Sequence, residues 1–559
     1  MAQIHWSSSC VWPGVPQLRR RVLLFSVCAV CLLSAPGTPS MGVTDVVTYH
    51  NDVGRTGRNL NETFLTPATV TAANFGKIRI LATDGKVDAQ PLFLSGLSIP
   101  AVGVRDVVYA ATEHGSVYAF DANSGATLWH VSLLGAGETT SDARGCSQVT
   151  PEIGITATPV IDRSRGPHGT IYVVAMSKTS AGAYFQRLHA LDAALGTELA
   201  GSPRLIQGSY PGTGAGSSGG FVNFDAKQYE ERAGLLLVNG QIVTVWTSHC
   251  DIDPYTGWII AYDAATLTQS GVLNVTPNGS RGAMWQAGAG PAADAAGNLY
   301  VLDGNGTFDT TLTSAGFPNR GNFGNAFLKI ATAGGLSVAD YFATFDTVSQ
   351  SNADADLGSG GAMVFPDLVD AGGQTRHLAV GAGKDSHIYV VDRDAMGKFN
   401  ASSNQNYQDI TGALGGGVFS MPAFFNDTLY YGAVGARLKA FPVTSARVSA
   451  TASSQSPASF PYPGTTPSIS ASGSTNGIVW AVENRSPAVL HAYNASNLAT
   501  ELYNSTQAAA GRDSFGNGNK FITPMIANGR VYVGTQTGVA VFGVLTAIPA
   551  PPGNLRIIR

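Results

Sequence analysis

Eight times along the chain the same succession recurs: a small residue and often a proline, a short apolar strand, a turn, an alternating apolar strand, a polar hairpin, and another alternating strand. The clearest copy runs from Ala89, Gln90 and Pro91 through residues 107–112, the hairpin at Glu113 and His114, and residues 117–121 to Gly125 and Trp129. Further copies open at Ala157, Ala233, Gly290, Gly361, Met421, Thr466 and Thr523. Several third strands end alike, at Asp121, Asp192, Asp263, Asp392 and Asn494. Period-2 alternation in four-strand units of roughly 60 residues is what propeller blades need, because each twisted sheet must bury both faces against its neighbours. The last copy stops after three strands near Leu545, while an extra strand, residues 75–81, precedes the first copy. The fold expected is therefore all-β: a single eight-bladed β-propeller of four-stranded antiparallel blades over residues 75–545. The N-terminal strand completes the last blade, so that no long sheet edge stays open.

Composition supports this and narrows the partners. With 44% hydrophobic and only 13% charged residues, the chain of 559 is not a disordered one. A net charge of −4 with scattered Lys and Arg offers no basic stripe for nucleic acid and no polybasic membrane patch. Arg19–Arg21, an apolar run over residues 22–35 and the breakers Pro36 and Gly37 have the shape of a signal peptide within residues 1–42, implying a secreted or periplasmic protein. The run is too short for a membrane span. Residues 43–74 read as an N-terminal extension, 448–470 as a flexible Ser/Thr/Pro-rich excursion of the sixth blade, and 546–559 as an unpaired tail. Beyond the leader two cysteines remain, Cys146 and Cys250. One disulfide and two separate thiols are both open readings.

In this pattern the hairpins between second and third strands share a face with the connections from blade to blade, so their polar groups converge on a central funnel. The hairpins supply Glu113, His114, His249, Asp251, Asn305, Lys384 and Asp385; the blade connections supply Glu152, Glu231, Arg232, Trp285, Asp354, Asp356 and Lys520. Asn352, Asp354 and Asp356 alternate ahead of Gly358, a spacing that suits a hard cation such as Ca²⁺ and equally a solvated turn. His249, Cys250 and Asp251 offer a general base or a soft-metal ligand, without a second His or Cys at ligand spacing. Gly381–Lys384 leads into a strand rather than a helix and is not a phosphate loop.

Ala119, Asp121, Gly125 and Trp129 resemble the tryptophan-docking motif of quinoprotein propellers. Asp354, Asp356, Phe365–Asp367, Lys384, Tyr389, Asp392, Arg393 and Lys398 follow the order of a segment in PQQ-dependent alcohol dehydrogenases. The whole chain, from Tyr49–Asp52 and Arg55–Gly57 onward, is similar to a group of secreted bacterial proteins labelled PQQ-like. That resemblance implies PQQ and calcium as cofactors. Asp354 and Asp356 would divide the roles of base and calcium ligand, Asn305 would bind calcium, Lys384 and Asp385 would lie at the quinone, and Trp285 would stack on it. The chain departs from the family in lacking paired adjacent cysteines and a calcium-binding Glu near Ser177 and Lys178.

Three functions follow as expectations. The first is a secreted quinoprotein-type oxidoreductase of an alcohol or sugar, passing electrons to a separate acceptor because no haem motif is present. The second is a non-catalytic binding or assembly propeller that holds no quinone. The third is a polysaccharide-active enzyme using paired carboxylates in the funnel. His114, Glu152, His249, Asp251 and Lys520 are further candidate site residues.

Overall fold

The computed structural model describes residues 44–545, and the leader and tail expected at 1–42 and 546–559 lie outside the described residues. Eight antiparallel sheets follow one another along the chain. Blade 1 is built of Leu92–Ile99, Gly103–Ala111, Ser116–Asp121 and Thr127–Ser132, paired in that order. Blade 8 has only three strands from the end of the chain, Met525–Ala527, Arg530–Thr535 and Gly538–Val544. Its outer strand is Phe75–Ala82, which pairs antiparallel with Gly538–Val544. The ring closes as the repeat count required.

The Asp that recurs at the end of several third strands has a local cause. Asp121 Oδ1 accepts the backbone N–H groups of Asn123 and Ser124, Asp192 Oδ1 those of Ala194 and Leu195, and Asp263 Oδ1 those of Ala265 and Thr266. Each carboxylate tightens the turn into the fourth strand. Trp129 then reaches across to blade 2, donating its indole N–H to Ala193 O at 3.2 Å. It packs on Gly196, whose φ is +67° and where a Cβ would lie 2.5 Å from the indole, so this position takes only glycine.

Burial follows the ring. Among the described residues, eight of the nine apolar clusters lie one between each pair of neighbouring blades. The cluster of Leu92, Val107 and Val117 with Ile161, Ile171 and Val173 joins blades 1 and 2, and that of Leu81, Phe93 and Phe120 with Met525, Tyr532 and Val541 joins blades 8 and 1. No single core exists, and each blade is stable only through its neighbours.

One segment was expected to be loose and is not. Within 448–470, Ser454–Ser459 forms the outer strand of blade 6 against Arg437–Thr444. Ser456 is buried there and accepts the Leu438 N–H at 2.9 Å. An outer strand buries only alternate side chains, and small hydroxyls that bond back to the neighbouring strand fill that role, so polar composition misleads here.

The extension does more than precede the ring. Its residues 46–59 bond to the innermost strand of every blade in turn. Val46 exchanges two bonds with Phe93 of blade 1, and Val47 O accepts from Ile161 of blade 2. Arg55 donates to Leu235 O of blade 3 and to Pro291 O of blade 4. The carbonyls of Gly54, Thr56 and Gly57 accept from Val364, Phe424 and Ile469 of blades 5, 6 and 7, and Asn59 donates to Ile526 O of blade 8. Arg55 is fully buried and also binds Thr48 Oγ1 and Tyr49 O, both at 2.7 Å. Arg55→Ala leaves these oxygens buried and unpaired, and we expect a loss of about 3 kcal/mol or more in denaturant unfolding. Val104→Ala, at an exposed strand position, is expected to change it by less than about 0.5 kcal/mol.

Candidate functional site

Above the axial segment the blade connections enclose a cavity of about 360 Å³. Its walls include Trp285, Phe419, Tyr462 and Phe521, and its polar groups include Arg232, Asp251, Asn305, Asp354, Asp356 and Lys384. A close backbone approach brings two of these segments together. Gly358 lies so close to Gly304 that a Cβ there would be 2.3 Å from the Gly304 nitrogen, which joins the Asn305 hairpin of blade 4 to the Asp354–Asp356 connection. Non-glycine residues with left-handed backbone gather around the cavity, namely Cys250, Asp251, Ala287, Asp354 and Phe521. Strained conformations of this kind concentrate where side chains must be aimed.

Asn305 Nδ2 donates to Asp354 Oδ1 at 2.6 Å, and the Lys384 ammonium contacts the same oxygen. Lys384 also sits 2.7 Å from Asp356 Oδ1. Asp354 is exposed, whereas Asp356 is 1% exposed. Burial pushes the Asp356 carboxyl above the usual range against the pull of Lys384. For Lys384 burial alone lowers the pKa, but Asp356 and Asp354 outweigh it and the ammonium is held above its ordinary value. Beneath them Asp303 is fully buried, with neither carboxyl oxygen partnered among the described residues. Burial, and then Asp356, raises its pKa well above normal. Asn305 Oδ1 is buried and unpartnered too.

Of the residues expected from sequence, Arg232, Trp285, Asn305, Asp354, Asp356, Lys384 and Asp251 line this one cavity. Others do not. Asp385 turns away, accepting the Tyr389 hydroxyl at 2.5 Å and the Gln350 amide at 3.3 Å. His114 and Glu152 form a pair at 3.0 Å outside the lining. His249 is buried 3.7 Å from Glu230, and burial lowers it to about 4. Lys520 bonds Ser147 O and Gln148 Oε1 beside a smaller cavity below. Asn352 is exposed outside the lining, so the alternating 352–358 run does not wrap one ion as a linear loop.

Tyr462, Phe419, Phe521, Gln148 and Asp303 escape the sequence reading as site residues. A positional signal exists for part of the lining: Arg232, Ser359, Phe419 and Phe521 each stand one or two residues before the small-residue opening of a blade copy. Tyr462 comes from the segment read as a loose excursion. The Arg232 guanidinium lies 5.7 Å from the Trp285 ring centre and 4.6 Å from that of Phe521.

Cys146 and Cys250 form a disulfide with Cα atoms 5.3 Å apart, tying the connection between blades 1 and 2 to the blade 3 hairpin. Cys250 lines the cavity. Because the bridge closes 104 residues, Cys250→Ser is expected to cost about 4.7 kcal/mol by loop entropy. Neither thiol should react with an alkylating reagent in native protein until reductant is added.

No protein-family model matches the sequence, and no curated protein matches it. Solved structures do share the fold. A quinohemoprotein alcohol dehydrogenase from Comamonas testosteroni is 14% identical with a TM-score of 0.57, over 89% of this chain and 80% of that one. One from Pseudomonas putida is likewise 14% identical with a TM-score of 0.57, over 91% and 82%. A europium-containing methanol dehydrogenase is 12% identical with a TM-score of 0.53, over 89% and 98%. At such identities the likeness is one of fold.

Proposed function

We propose that this protein is a quinone-dependent oxidoreductase that binds PQQ with calcium in the funnel and oxidises a small alcohol or sugar. The observation that carries the reading is the meeting of Trp285, Asn305, Asp354, Asp356 and Lys384 in one cavity beside Arg232. Aromatic walls with two cations suit a planar, polyanionic ring system, and the volume is that of one such ligand rather than a run of sugar units. The cation also finds suitable donors: the orphaned oxygens of Asn305 and Asp303 and the Asp356 carboxyl have the hard-oxygen chemistry calcium takes.

In this reading the quinone supplies the two-electron acceptor and calcium a Lewis acid. The chain does the rest. Trp285 provides the stacking face, and Arg232 and Lys384 neutralise carboxylates of the ligand. Asp354 uses Oδ1 for both Asn305 and Lys384, which leaves Oδ2 to accept the proton of a substrate hydroxyl. The Cys146–Cys250 bridge suits an oxidising compartment, in keeping with secretion, and electrons would leave to a separate acceptor. Among the described residues no helix is long and apolar enough to cross a membrane.

One observation favours a second reading, a propeller that binds without catalysis: Lys384 already pairs with both Asp354 and Asp356. Calorimetric titration with PQQ and calcium separates the two. We expect saturable binding, weakened roughly tenfold or more by Trp285→Ala, by Asn305→Ala and by Lys384→Ala. Absence of binding by folded protein would overturn the quinone assignment and leave the binding propeller.

A further inference from the structure

Below the funnel lies a set of buried ionisable groups that the reaction above does not use. A smaller cavity of about 20 Å³, room for a water, is lined by Asp88, Thr156 and Arg232 and reaches Tyr49 of the axial segment. It shares Gln148, Arg232 and Phe521 with the funnel. Beside it Glu113 and Glu230 are both buried. The Thr156 hydroxyl stands between them, 3.0 Å from Glu113 Oε2 and 3.4 Å from Glu230 Oε1.

A hydroxyl donates one hydrogen, so Thr156 cannot donate to both carboxylates. The second contact becomes a hydrogen bond only when a carboxyl carries a proton and donates it to the Thr156 oxygen. With a single proton shared by the two carboxyls, Thr156 donates to Glu113 Oε2, which also accepts the Gly154 N–H at 3.0 Å, and Glu230 holds the proton. We propose that Glu230, Thr156 and Glu113 form a buried proton relay at the base of the funnel. In one transfer the Glu230 Oε1–H bond breaks as a new Thr156 Oγ–H bond forms, and the original Thr156 proton passes to Glu113 Oε2. The negative charge thereby moves from Glu113 to Glu230, and no electron is exchanged.

The surroundings give this transfer a consequence. Glu113 is faced by Asp88, Lys86 and Glu230; Glu230 by Arg232, Asp88, Lys86 and His249; His249 by Arg144, Asp142 and Arg232. Lys86 is itself paired with Asp88 at 2.6 Å. With its proton Glu230 leaves Arg232 uncompensated, and the funnel attracts anions; without it Glu230 offsets Arg232. Burial pushes Glu230 up to about 7 against the pull of Arg232, and burial with Asp88 pushes Glu113 well above the carboxylate range.

The relay is independent of what the funnel binds, so its test uses the full chain without ligand. In a pH titration by infrared spectroscopy, we expect a protonated-carboxyl band that titrates near neutrality. It should be lost in Glu230→Gln, shifted by about one pH unit in Glu113→Gln and in Thr156→Val, and restored in Thr156→Ser. Because the native state holds the extra proton, wild-type stability should fall as pH rises from 4.5 to about 7, with a smaller slope in Glu230→Gln. Survival of that near-neutral band in Glu230→Gln, an unchanged stability slope, or a midpoint unmoved by Glu113→Gln and Thr156→Val would overturn the relay. Should Thr156→Val not fold, Glu113→Gln alone decides the coupling.

Discussion

Every blade of a propeller presents the unpaired backbone of its innermost strand toward the axis, where neither a neighbouring strand nor bulk water is at hand. Residues 46–59 meet that demand. They offer carbonyls, amides and the Arg55 guanidinium to the inner edge of all eight blades. A buried arginine is costly, and it is tolerated here because its donors are met by four oxygens within 3.3 Å. His50 is held in the same way, between the carbonyls of Arg55 and Pro467, each at 2.8 Å. With the clusters between blades sharing burial around the ring, this segment touches every blade.

The axial segment also sets where chemistry can take place. Tyr49 forms part of the lower cavity and bonds Thr523 at 3.0 Å, so the space along the axis is open on the side of the blade connections. The groups left in that space fall into two tiers. The upper tier joins Asn305, Asp354, Asp356 and Lys384 beside aromatic walls, with partly solvated charges that can meet a ligand. The lower tier holds Glu113, Glu230 and His249 in near-complete burial, where the neutral form is the cheaper state: a carboxyl reaches it by holding a proton and His249 by losing one. Arg232 belongs to both, since it lines the two cavities and faces Glu230.

The amino-acid sequence by itself determined the ring. Period-2 alternation, small-residue openings, turn-capping Asp residues and a spare N-terminal strand are local properties, and each has one backbone solution. It also determined that Arg232, Asp251, Trp285, Asn305, Asp354, Asp356 and Lys384 share the cavity face, because hairpins and blade connections of a propeller must lie together. Only the tertiary structure decided the rest. Whether Cys146 and Cys250 pair depends on two connections 104 residues apart meeting. Asp385 stands next to Lys384 in sequence yet turns to Tyr389, since adjacent hairpin residues point in opposite directions. Tyr462 reaches the cavity from a segment whose composition reads as solvent-exposed, and the roles of Arg55 and Thr156 come from partners scattered over the chain. Local pattern specifies an element, but which side chains share a buried space is a sum over elements, and that sum exists only once the ring has closed.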